Sequence, residues 1–184
     1  MKAMFKNSVY LLLLAATMLL NVSAFGQGSA LYLKVKGSKQ GNIKGDATEK
    51  GKEGLIQVIA FQQEVSSPRD AASGQATGKR QHKPFIIIKQ IDKSSPLLMA
   101  ALTKNESLSE VTLSIYRPSA KTAGTNELWY TIELKDVVIS GISSTWDADK
   151  KQSREEVSFT YQKIKWTFAE GNVTFEDDLK SNRN

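Results

Sequence analysis

Residues 157–168, VSFTYQKIKWTF, leave a chain little conformational choice. β-Branched and aromatic side chains fill the segment, which favours an extended strand. Its apolar phase changes midway. Val157, Phe159 and Tyr161 share one parity; Ile164, Trp166 and Phe168 share the other. A regular strand places alternate side chains on opposite faces, so one flat pleat would divide these six residues between core and solvent. One extra residue near Gln162-Lys163, a β-bulge, returns all six to one face. The reading is a single bent strand, and bent strands curl sheets into barrels.

The rest of the chain supports a mainly β domain. Leu31, Leu33 and Val35 alternate with Tyr32, Lys34 and Lys36, the pattern of a half-buried strand. Residues 37–54 hold five glycines and many charges and read as a long loop. Residues 55–61, LIQVIAF, read as a strand buried on both faces. Residues 62–81 are polar and read as a second long loop with an extended arm; loops of this length are functional or disordered. Residues 85–91, 110–116 and 128–140 read as further strands. The last shifts phase at Lys135-Asp136, a second expected bulge. One short helix is signalled. Ser94 or Ser95 caps it, Pro96 suits its first turn, Leu97, Leu98, Ala101 and Leu102 form its apolar stripe, and Asn105 stops it. Residues 147–154 read as a charged turn, and residues 171–184 as a polar, frayed C-terminal tail.

Residues 1–27 read as a secretory signal peptide. Lys2 and Lys6 form the positive start, residues 9–20 the apolar stretch, Val22-Ser23-Ala24 a small-residue cleavage site and Gly26-Gln27 a second one. The rival reading is an uncleaved anchor helix, for which the apolar run is short; once the leader is removed no membrane insertion is expected. The domain then occupies residues 28–170. Without Lys2 and Lys6 the formal charge falls from +6 to +4. No dense Lys/Arg stripe with interleaved aromatics appears, which argues against a nucleic-acid partner. The chain has no cysteine, which excludes disulfides, thiolate catalysis and cysteine-based zinc sites.

Catalytic signatures are lacking. His82 is the sole histidine and no nucleophile elbow surrounds any serine. One histidine without cysteines cannot build the usual zinc set. The acid pairs Asp147/Asp149, Glu155/Glu156 and Asp177/Asp178 fall in turns, at a strand edge or in the tail, where carboxylates are solvated. Residues 45–52 have the wrong spacing for a phosphate loop, and Glu53 stands where a Ser or Thr would hold magnesium. The expectation is no catalytic residue, no metal and no cofactor. Lys79, Arg80 and Lys83 form the densest basic patch. It reads as a solvated strand end or an intersubunit contact, with Tyr32, Trp129 and Trp166 in the core.

Several segments, in order, resemble the Hcp family, the tube subunit of bacterial type VI secretion systems. They are Ile43-Lys44-Gly45-Asp46; EKGKEGLIQV at 49–58; Val65-Ser66-Ser67-Pro68; GKRQHKPF at 78–85; DKSSPLLMAA at 92–101; YTIELKDVVIS at 130–140; and residues 155–168. Together they span roughly residues 30–170. His82 falls where the family commonly has a histidine.

The resemblance implies a curved two-sheet β-barrel with one short flanking α-helix. It implies a homohexameric ring, stacking of rings into a hollow tube, and effector cargo, with spike and sheath components of the secretion machine as further partners. It implies no enzymatic activity. The two long loops become the expected subunit-interface elements, through Lys44, Asp46, Lys52 and Glu53 in the first and Ser66, Arg69, Asp70, Lys79, Arg80 and His82 in the second. The leader departs from the family, whose members are normally made without one. It points to a secreted or periplasmic protein; the alternative is cytoplasmic assembly followed by export through a type VI machine. The alternative function is an exported monomeric or single-ring β-barrel that binds a partner without building a tube.

Overall fold

A computed structural model describes residues 28–181; the expected leader therefore lies outside the described residues. Thirteen strands, one α-helix and a short 3-10 turn at Glu170–Asn172 are present among the described residues. The strands are β1 (Ala30–Gly37), β2 (Gly41–Ile43), β3 (Ile56–Val58), β4 (Ala60–Gln62), β5 (Val65–Ser66), β6 (Gln81–His82) and β7 (Phe85–Lys89). After the helix α1 (Ser95–Thr103) come β8 (Leu108–Pro118), β9 (Asn126–Lys135), β10 (Val138–Asp147), β11 (Gln152–Thr160), β12 (Lys163–Phe168) and β13 (Val173–Asp178).

Two antiparallel sheets form the body. The larger runs β13-β12-β9-β8-β1-β2, with β3 pairing the other end of β1. The smaller runs β10-β11-β7-β4, and β5 and β6 form a separate two-stranded ribbon. Inward residues of both sheets join one buried cluster, including Leu33, Ile56, Phe85, Ile87, Leu113, Ile132, Val157 and Phe159. The fold is the expected curved, two-sheet β body with one flanking helix. The two ladders share a core without closing into a continuous barrel, and each sheet keeps its edges.

The predicted bulge near Gln162-Lys163 is a change of sheet. Residues 157–168 form two strands: β11 pairs with β7 and β10 in the small sheet, whereas β12 pairs with β9 and β13 in the large one. Val157, Phe159, Tyr161 and Ile164 are all buried. Both phases face one core because the chain turns a corner between them. The predicted bulge at Lys135-Asp136 is a second corner, where β9 passes to β10 and Asp136 adopts φ 52°. Gln162 N–H donates to the Lys135 carbonyl at 3.1 Å, tying the two corners together. The LIQVIAF segment is a third corner. β3 pairs with β1, β4 pairs with β7, and Ile59 between them is exposed rather than buried. Register shifts do occur, at Lys36/Gly37, Ile115/Tyr116 and Ile139/Gly141.

The helix begins after Ser94, but no serine side chain caps it. The Ser94 N–H and hydroxyl both donate to Asp92, and the Ser95 hydroxyl turns inward to Glu155. Asn105 stops the helix as expected, with φ 48°. The amides of Asn105 and Glu106 donate to the carbonyls of Leu102 and Ala101, the bond pattern of a Schellman end. The Glu106 carboxylate then accepts from the amides of Lys39 and Gln40, which caps the β1–β2 turn. Residues 173–178, expected to fray, form β13. That strand gains backbone partners along the whole of β12, from Lys163↔Asp178 to Phe168↔Val173.

Candidate functional site

The arm between β4 and β7 is largely exposed. It is a hairpin of 65–82, paired through Val65↔His82 and Ser66↔Gln81 and closed again at Arg69↔Ala76. Its tip is self-capped: Asp70 accepts from the amides of Ala72 and Ser73 and from the Ser73 hydroxyl. These donors hold its carboxyl below the usual carboxylate range. Arg69 donates to the Gly74 carbonyl at 3.0 Å across the tip. Ser66, Arg69, Asp70 and Lys79 are all exposed. A two-stranded hairpin this polar has little core of its own and is marginal in isolation.

Its root supplies what the arm lacks. Arg80 makes a two-pronged bond to the Asp177 carboxylate and donates to the Asp178 carbonyl at 2.8 Å. His82 is wedged beside it, with Nε2 2.9 Å from Asp177 and Nδ1 3.0 Å from the Tyr161 hydroxyl. A carboxylate only accepts, so Nε2 carries a proton; in the neutral imidazole Nδ1 then accepts from Tyr161. Lys163 pairs with Asp178 at 2.9 Å. Arm, sheet corner and C-terminal strand thus meet in one polar lock. The Arg80 guanidinium, then the His82 contact, hold the Asp177 carboxyl below its usual range against its partial burial.

A hydroxyl, an imidazole and a carboxylate in a row resemble a catalytic relay in outline only. The His82 side chain is 2 % exposed and Tyr161 is 5 % exposed, so no substrate reaches the hydroxyl. Burial, with Asp177 nearby, pushes that hydroxyl up to about 12, the opposite of activation. The lock positions the arm and performs no chemistry. Beside it lies a groove of about 950 Å³, floored by Trp166 and Phe175, whose rings stack at 5.7 Å and 10°.

The other predicted loop residues lie elsewhere. Residues 44–54 form a closed loop through Gly45 N–H to the Gly54 carbonyl and Ala47 N–H to the Leu55 carbonyl. Gly45 is required there because a Cβ would meet the Ile56 Cα at 2.5 Å and the Leu55 oxygen at 2.6 Å. Lys44 and Glu53 are exposed, and Asp46 pairs with Lys93 at 3.3 Å. Lys52 lies 3.5 Å above the Tyr116 ring, which meets Tyr32 edge-on. Tyr32, expected in the core, is buried beneath this loop, whereas Trp129, expected there too, is exposed. Burial and a hydrogen bond to Glu49 push the Tyr32 hydroxyl up to about 12. The arm root leads into the start of β7, while Lys93 follows its end. Topology therefore sets Arg80 and His82 apart from the Lys44–Asp46–Lys52–Glu53 group.

A second buried polar centre joins helix to small sheet. Lys89 is fully buried, and its ammonium donates to Asp92 at 2.8 Å, to Ser95 at 2.9 Å and to the Gln90 carbonyl at 2.7 Å. It also pairs with Glu155 at 2.9 Å, and Glu155 accepts from Ser95 and Ser144. Every partner is satisfied, which lets a charge lie in the core. Glu155 and Asp177, expected to be solvated carboxylates, are instead buried or nearly so and paired with Lys89 and Arg80, and no sequence signal marked Tyr161 or Lys89 as their neighbours. The alternation of Val173 and Phe175 before Asp177 was the available signal for β13.

The two-sheet body has counterparts among known proteins. The family described as "Type VI secretion system effector, Hcp" matches residues 32–168. This chain belongs to the Hcp family. The "Major exported protein" of Pseudomonas aeruginosa is 40% identical to it over 165 residues, covering 82% of this chain and 95% of that protein. Among solved structures, a protein titled "Crystal structure of Hcp protein" superposes with a TM-score of 0.74 at 33% identity, covering 81% of this chain and 98% of that one. The "Secreted protein Hcp3 from Pseudomonas aeruginosa" gives 0.69 at 35% identity, covering 84% of this chain and all of that one. As an Hcp protein the chain is a structural type VI secretion tube protein and not an enzyme.

Proposed function

We propose that this Hcp chain closes into a six-membered ring, that its rings stack into a hollow tube, and that the tube carries effector cargo outward. The observation that carries the reading is the agreement with Hcp along nearly the whole two-sheet body, residues 32–168. The geometry suits the task. Each sheet ends in an edge strand, and the two edges differ in sequence, so identical copies have dissimilar faces to join head to tail. The arm and the 44–54 loop serve as contacts between subunits or rings, through the exposed Lys44, Glu53, Ser66, Arg69, Asp70 and Lys79. Residues 1–27 direct export and are cleaved, so that rings assemble outside the cytoplasm.

Light scattering of the purified protein tests the ring. A mass six times that of the chain is expected, and a monomer across the concentration range overturns the reading. Electron microscopy of concentrated protein then reads stacking directly. N-terminal sequencing of the exported protein tests the leader, with a start between residues 25 and 28 expected.

A further inference from the structure

β13 pairs with β12 on one side, and its other side is free among the described residues. It carries Val173 and Phe175, 66 % and 64 % exposed. A bare strand edge with apolar side chains is a template for another chain, and folded proteins blunt such edges with charge or cover them. Two of the acids on β13 are already engaged, Asp177 by Arg80 and His82 and Asp178 by Lys163. Glu176 has no ion pair among the described residues. Lys165, across from it on β12, turns to Glu133 at 3.6 Å instead.

A turn follows β13. Leu179 N–H donates to the Gln162 carbonyl at 2.8 Å, which holds the end of the strand at the sheet corner. Lys180 N–H donates to the Asp178 carboxylate at 2.9 Å, and Ser181 N–H to the Asp178 carbonyl at 3.0 Å. A bond from i+3 back to i, with an aspartate at i, is a β-turn that reverses the chain. Ser181 accordingly stands on the wall of the aromatic groove with Phe175 and Glu176. Asn182, Arg183 and Asn184 follow, outside the described residues. Neither Leu179 nor Lys180 has a positive φ, so the turn is not of the primed kind that carries a regular ladder, and its arms splay. A side chain has to make the tie. Two residues of extended chain span about 7 Å, so with Ser181 set against Asp178, Arg183 draws level with Glu176.

We infer that residues 182–184 run back along the free edge of β13 and that Arg183 pairs with Glu176, so that the chain covers its own sheet edge and closes one side of the aromatic groove. The pairing joins the one charged side chain of the segment to the one carboxylate of β13 left without a partner. An exposed ion pair is weak by itself. Here the turn has already brought the two ends together, so little chain entropy opposes it. The contact lies within one chain and does not depend on the ring reading.

The test is limited digestion of the full chain with a protease that cuts only after lysine, with release of residues 181–184 followed by mass spectrometry. Each rate is divided by that of a synthetic peptide of residues 174–184 carrying the same change, which removes any direct effect on the protease. Arg183→Glu and Glu176→Arg should each speed the release about threefold or more, and the two together should restore the parent's rate. β13 keeps its ladder to β12 in every variant, so far-UV circular dichroism should not change. Should a charge reversal disturb the strand, Arg183→Ala and Glu176→Gln repeat the cycle, and their combination should be cut no faster than either alone. Singles cut at the parent's rate, or a charge swap cut as fast as the singles, overturn the pairing. A tail equally resistant in all variants is held by something else and overturns it too. Removal of 182–184 should bare the edge, and the shortened chain should then scatter light as a heavier species than the parent at equal concentration. An unchanged mass overturns the covering of the edge.

Discussion

His82 Nε2 lies 2.9 Å from the Asp177 carboxylate, although 95 positions separate them in the chain. With Arg80 on the same carboxylate, this contact pins the arm to the C-terminal strand. Asp177→Ala leaves a guanidinium and a buried imidazole without their acceptor. Loss of such a charged hydrogen-bond partner costs about 2–3 kcal/mol, which urea unfolding will measure. Proteolysis should then cut the arm faster than the body.

Acid weakens the same lock. The folded Asp177 carboxyl titrates below its ordinary value of 3.8, because Arg80 and His82 favour its charged form. The unfolded state therefore binds the proton first. The stabilisation is complete above about pH 4 and is lost as pH falls toward the folded value. Asp177→Asn should show a shallower acid-unfolding slope than the parent, measured by circular dichroism.

Alkali acts through two tyrosines. Tyr32 and Tyr161 both titrate near 12, pushed up chiefly by burial. The unfolded chain loses these protons near pH 10, so stability is full below that and falls as pH rises toward 12. Native absorbance at 295 nm should show Tyr32 and Tyr161 titrating last, with Tyr130, also pushed up by burial, above its ordinary value. Tyr161→Phe should remove one of the last two.

Lys89→Met should be among the most damaging single substitutions. It leaves Glu155, 3 % exposed, without its cation, at a cost of about 3–5 kcal/mol. Glu155→Met added to it should recover much of that loss in thermal melts. No recovery would mean that the pair holds the helix by geometry rather than by charge balance.

Gly45→Ala places a methyl group against backbone atoms of Leu55 and Ile56 that cannot turn aside. Overpacking of this kind costs about 1–3 kcal/mol. The 44–54 loop should then lose amide protection in hydrogen exchange while the β8–β9 ladder keeps its own.

Removal of residues 66–76 takes away the arm beyond its root. The body should melt within a few degrees of the parent, since the deleted residues contribute nothing to the shared core. Tubes should be lost in micrographs; persistent tubes would free the arm of any stacking role.

Much of this architecture was legible along the chain. Alternation located β1, β8 and β9, Pro96 and Asn105 bracketed the helix, and the glycine-rich and polar stretches marked the loop and the arm. The phase changes at Gln162-Lys163 and Lys135-Asp136 were also genuine signals. Their cause was misread, because a shift of one residue looks the same whether a strand bulges or leaves its sheet.

Sequence by itself therefore determined the β class, the place of the helix and the family, since those depend on local periodicity and residue type. Tertiary structure decided where strands change sheets, because that depends on which edge is free to pair. It also decided that a tail of consecutive acids becomes β13, since Val173 to Asp178 gain partners only once β12 is in place. The lock of Arg80, His82, Tyr161 and Asp177 joins three distant segments, and no spacing rule links side chains across the intervening chain. Only the folded corner beside β13 brings them together.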